Sequence, residues 1–86
     1  MKKRRLNWKI IASNVREARE ELQSLEKIVQ DGKARSEIAL QISLQHAYHH
    51  LNFAWHVRRQ ETERYAHQTK RDFKRWGRFP ADIWWD

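Results

Sequence analysis

The most chemically suggestive stretch of the chain is His46-Ala47-Tyr48-His49-His50, with His56 following after nearly two further helical turns. On a helix, residues four apart share a face, so His46 and His50 could share a metal ion, and His49 lies one heptad before His56. Two ligands on one helix are too few, since zinc takes four ligands, at least three of them usually from protein. The carboxylates that complete His-rich di-metal sites in bundles are missing, and Glu-x-x-His occurs nowhere. Symmetric pairing of two chains would double the imidazoles and raise that count. The plainer reading is that His46, His49, His50 and His56 hydrogen-bond at a partly buried interface beside Phe53 and Trp55, with no cofactor.

Catalysis by these histidines lacks support of its own. A general base is normally oriented by a carboxylate or carbonyl, and Glu37 and Glu61 lie outside the histidine block. His67, four residues after Glu63, reads as an ordinary surface pair. No nucleophile elbow, phosphate-binding glycine loop or metalloprotease motif is present. The absence of cysteine excludes disulfides, thiol catalysis and Cys-based metal sites. The expectation is a protein that is not an enzyme.

A second group of residues is cationic. Lys2, Lys3, Arg4 and Arg5 form a basic arm, and Lys70, Arg71, Lys74, Arg75 and Arg78 interleave with Phe73 and Trp76. That mixture suits phosphate contacts beside stacked bases. With 18 Lys and Arg against 11 acids, a net +7 attracts polyanions, either nucleic acid or an acidic protein. The competing reading has Phe73 and Trp76 plugging the end of a helical hairpin while the cations solvate the other side. No helix-turn-helix, basic-zipper or RNA-binding signature accompanies the charge. Trp84 and Trp85, flanked by Asp82 and Asp86, could anchor a partner or fold back over Tyr65 and Phe73.

These groups need elements to position them. Glycine occurs only at 32 and 77 and proline only at 80, so the strongest helix breakers sit in two places. The spacing predicts helices over about 6–30 and 36–60, with Gly32 and Gly77 taking the left-handed position past a helix end. Trp8, Ile11, Val15, Ala18, Leu22, Leu25 and Val29 form a heptad seam along the first helix. Ser36 suits the N-cap of the second, with Glu37 at the positive end of its dipole.

From Ile38 to Val57 no residue is charged. Helical spacing separates two apolar faces there. Leu40, Leu44, Ala47, Tyr48, Leu51, Ala54 and Trp55 share one, expected to meet the first helix. Ile38, Ile42, Phe53 and Val57 share the opposite arc with the four histidines. A hairpin covers only one face, so the other calls for a neighbour. The seam cannot line the second helix beyond about residue 59, at about 1.5 Å per residue. A break is therefore expected between Glu61 and Gln68, then a short third helix over 70–76, opened by a capping box variant at Thr69 to Asp72. An aromatic tail, 78–86, follows.

No apolar run approaches the roughly 20 residues of a membrane span, and the opening residues do not make a signal peptide, so a cytoplasmic protein is expected. The reading is thus a single all-α domain: an antiparallel hairpin, basic arm 1–5, short third helix and tail. It is expected to form homo-oligomeric helical bundles through Ile38, Ile42, His46, His49, Phe53, His56, Trp84 and Trp85. Nucleic-acid binding through the arm and third helix is the alternative function, and metal binding by the histidines a further one.

Overall fold

The computed structural model describes residues 5–33 and 36–83. All regular structure among them is helical: α1 (Trp8–Gln30), α2 (Glu37–His56), α3 (Thr62–Ala66) and α4 (Lys70–Trp76). The first two helices pack as the expected antiparallel hairpin. Their starts are capped by short polar side chains, which accept from first-turn amides that lack helical partners. Asn7 Oδ1 accepts from Ile10 N, and Ser36 Oγ from Ala39 N. Gly32 closes the α1 end at φ +68, a conformation that glycine adopts without steric penalty.

The seam between α1 and α2 is built from small residues. Asn14 and Ala18 are buried on α1, with Ile11 and Leu25 half-buried; Ser43 and Ala47 are buried on α2, with Ala39, His50 and Ala54 half-buried. Register is fixed by polar pairs at three levels. Asn7 N donates to Arg58 O at 2.6 Å, His50 Nδ1 meets Asn14 Oδ1 at 3.0 Å, and His46 Nδ1 meets Glu21 Oε2 at 3.0 Å.

This seam differs from the one expected. α2 is turned so that its row of small residues, rather than Leu40, Leu44 and Leu51, meets α1. The α1 heptads divide accordingly: Ile11, Ala18 and Leu25 turn inward, whereas Trp8, Val15, Leu22 and Val29 stay exposed.

α2 also stops earlier than expected, at His56, and the break falls at 57–61. Asn7 supplies the reason. Its amide group donates to Gln60 O at 2.9 Å and to Thr62 Oγ1 at 3.1 Å, while its backbone N–H takes Arg58 O. The start of α1 thus captures carbonyls that a continuing helix would use internally. The segment expected as a loop then holds α3.

The chain folds back over the histidine side of α2. Ile10, Phe53, Val57 and Trp76 form the core, with Tyr65 packed against it. Phe53 meets Trp76 edge-on at 5.9 Å and Tyr65 at 6.4 Å, the arrangement that aromatic quadrupoles favour. α4 opens with a complete capping box, Thr69 Oγ1 accepting from Asp72 N and Asp72 Oδ2 from Thr69 N. Gly77 has φ −82 rather than the left-handed value. What it provides is room, since a Cβ there would lie 3.1 Å from Phe73 O and 3.4 Å from His49 Nδ1.

Candidate functional site

Three surfaces emerge from this arrangement. The first is the histidine groove, an open concavity of about 600 Å³ lined in part by Ile42, His46, His49, Phe73 and Gly77. Each histidine of the sequence cluster, His56 beyond the groove included, has its own partner. His46 pairs with Glu21, and His50 with Asn14. His49 stacks on Phe53 at 4.3 Å and on Phe73 at 4.8 Å, and His56 Nε2 donates to Arg78 O at 2.9 Å.

Burial holds the His49 pKa below its ordinary value, helped by His50 and then His46. Burial and His46 likewise lower that of His50, against the opposing pull of Glu17 and Glu21. Among the described residues no group of three or more His, Cys, Asp or Glu is arranged to hold a metal ion.

The face expected to meet another copy is partly covered by the chain itself. Phe53 is only 2% exposed, enclosed by α4 and Tyr65. Packing of Trp76 onto Ile10 and Val57 brings α4 over that arc. Ile38 and Ile42 remain exposed, His46 stands at the surface, and His49 and His56 are half-buried. Trp84 and Trp85 lie outside the described residues.

The tail before them is pinned to α2. Trp55 Nε1 donates to Asp82 Oδ1 at 2.9 Å, Arg58 Nη2 reaches Asp82 Oδ2 at 3.3 Å, and Pro80 is buried. The Trp55 hydrogen bond, with a smaller share from Arg58, holds the Asp82 carboxyl below its usual range.

The second surface is the side of the hairpin turned away from α4. Val15 stands level with Leu51 and Leu22 with Leu44, as the register above requires, and Val29 and Leu40 continue the stripe toward Gly32. Trp8 and Tyr48 extend the stripe at its edges. All eight are exposed. Sequence spacing found these residues but assigned them to the seam. The same spacing puts Ala47 and Ala54 on the face that meets α1; the overlooked signal is that Ala39, Ser43 and His50 continue them as one row, whose small members permit the closer approach of two helices.

The third surface is basic. Lys70, Arg71, Lys74, Arg75 and Arg78 together line one concavity of about 530 Å³. Asp72, between them in sequence, turns inward and is 4% exposed. Arg64 Nη1 contacts it at 2.6 Å and holds its carboxyl well below the usual range, with Thr69 assisting. Arg5 lies in a separate depression beside Trp8 and Arg59; Lys2, Lys3 and Arg4 lie outside the described residues.

Among the described residues, no helix is long and apolar enough to cross a membrane. The chain belongs structurally to the small helical hairpins, here closed at one end by two short helices. No family profile, curated protein or solved structure matches it.

Proposed function

We propose that this protein is a non-enzymatic assembly module that pairs with a second copy through the open leucine face, forming a four-helix arrangement. The observation that carries the proposal is the exposure, on one side of the hairpin, of Val15, Leu22, Val29, Leu40, Leu44 and Leu51. A contiguous apolar stripe of this kind marks an interaction surface, and burial against a like stripe is the usual solution for helical layers. Charge favours a copy of the same chain. Arg19 and Glu26, one heptad apart, flank the stripe on α1, so a two-fold axis can set each against its opposite in the partner.

Molar mass in solution tests the proposal. Wild-type protein at micromolar concentration is expected to be dimeric, and Leu44→Glu monomeric with its helix content retained. Leu44 is 38% exposed, so closing that remainder stabilises by about 1 kcal/mol per chain. Carboxylate desolvation adds a few kcal/mol more. Together these weaken pairing by about 1,000-fold. Ile42→Glu, on the groove side, leaves the mass unchanged. A monomeric wild type, or a Leu44→Glu chain that keeps its mass, overturns the proposal.

A further inference from the structure

We propose that the basic concavity on α4 binds the phosphodiester backbone of a nucleic-acid duplex, without reading its sequence. The surface lies on the side of the hairpin opposite the leucine face and is independent of the pairing proposed above.

Placement is the first argument. At about 100° per residue, positions 70, 71, 74, 75 and 78 fall within about 140° of arc, and Trp76 anchors the opposite side in the core. The hollow between them is lined by Lys70, Arg71, Lys74, Arg75 and Arg78 alone. Like charges around one hollow repel each other, and the single acid of α4 offsets only part of this: Asp72 faces inward onto Arg64 at 2.6 Å and reaches just one of the five, Arg75, at 3.5 Å. An anionic ligand would remove that repulsion.

Rigidity is the second argument. Asn52 Nδ2 donates to Gly77 O at 2.8 Å, His56 to Arg78 O at 2.9 Å, and the capping box fixes the start of α4. The backbone beneath the cations is therefore held before any ligand arrives, which lowers the ordering cost of binding.

Charge density and shape select the ligand. The span from Lys70 to Arg78 is about 12 Å at about 1.5 Å per residue, over which a duplex presents about seven phosphate charges. An isolated phosphate would engage only part of the set. Three of the five are arginines, whose planar guanidinium groups pair two-pronged with phosphate oxygens. A concave site accepts a projecting strand better than the plane of a bilayer. No amide or carboxylate side chain lines the hollow, so it lacks the usual partners of adenine and cytosine edges. Phe73, the aromatic residue within α4's cationic run, is engaged with His49 and Phe53.

Fluorescence anisotropy of the full chain with a labelled duplex of about 20 base pairs, as DNA and as RNA of one sequence, tests this across a salt series. The triple variant Lys70→Gln, Arg71→Gln, Lys74→Gln is compared with a charge-matched control, Lys9→Gln, Arg16→Gln, Lys27→Gln, on the outer side of α1. All six residues are exposed, and circular dichroism checks that both variants fold. On DNA the triple variant is expected to flatten the logarithmic salt dependence by about 2.7, at about 0.9 for each phosphate no longer neutralised, while the control keeps the wild-type slope.

Equal flattening by both variants would mean diffuse attraction by net charge and would overturn the site. An unchanged slope in the triple variant would overturn it in favour of the arm, Lys2 to Arg5. Binding to phosphatidylserine vesicles but to neither duplex would replace it with a membrane surface.

Discussion

Replacing Asn14 by leucine tests what holds the hairpin to the segment that follows it. Asn14 is 2% exposed and touches three elements. Its Nδ2 donates to Ile10 O at 2.9 Å and to Tyr65 Oη at 3.3 Å, and its Oδ1 meets His50 Nδ1 at 3.0 Å. An amide oxygen only accepts, so His50 carries a proton on Nδ1. The flipped amide would set its oxygen against Ile10 O, two acceptors in contact. Leucine fills much the same volume but leaves the His50 Nδ1–H and the Tyr65 hydroxyl without these partners. A stranded group costs about 1–3 kcal/mol, and the half-buried positions of both residues put each near the lower end.

The net expectation is about 2 kcal/mol, out of a total of about 4–13 kcal/mol for a chain of this length. That corresponds to a fall of about 8–16 °C in Tm. Calorimetry at one fixed protein concentration reads it, because association would otherwise move the midpoint. A double-mutant cycle with His50→Phe should return a coupling of at least about 0.5 kcal/mol. A Tm within about 2 °C of wild type would refute the reasoning, leaving apolar contact alone to join the elements.

Two further outcomes follow from the core and the groove. Phe53→Leu, at a position enclosed by Trp76, Tyr65 and Ile10, should lower Tm by about 6–12 °C, as a core substitution costing about 1.5 kcal/mol does, and should leave the molar mass in solution unchanged. Loss of mass at an unchanged midpoint would instead put Phe53 at the contact between copies. His49 and His50 both have folded pKa values below the ordinary 6.5, so the unfolded chain binds more protons. The stability they contribute is complete above about pH 6.5 and declines as pH falls through that value. Thermal midpoints at pH 7.5 and 5.5 should show this decline, reduced in a His49→Gln, His50→Gln variant. A midpoint that rises on acidification would contradict it.

Much of the fold was legible because its signals are local. Gly32, Ser36 and the Thr69–Asp72 box each act within a turn of their own position, and the apolar periods of α1 and α2 identify two long helices whatever they pack against. The rotation of α2 was less accessible. Leucines at helical spacing dominate any reading of hydrophobicity, whereas a row of Ala39, Ser43, Ala47 and Ala54 looks weak until a second helix rests on it. The early end of α2 depends on Asn7, some fifty residues upstream of the carbonyls it captures, a relation that periodicity within one segment cannot contain. Of the candidate sites, the cations of α4 were legible as a group, since neighbours on one short helix stay together. The coverage of Phe53 depended on where the chain turned back.

A seam of small residues has an energetic consequence that joins these observations. Alanine and serine bring little apolar area to a contact, against about 1.5–3 kcal/mol for each buried leucine, so the seam alone stabilises the hairpin weakly. The chain offsets this at one end with the aromatic core and the Asn7 and Asn14 bridges. Toward Gly32 the described residues offer no such closure: Val29, Ile38, Leu40 and Ile42 are all exposed. Pairing through the leucine face would therefore act where the single chain is least braced, whereas α4 is positioned by contacts within the chain. This division lets the basic surface keep its geometry in either state of association, so that pairing changes how many such surfaces a particle carries rather than whether each one exists.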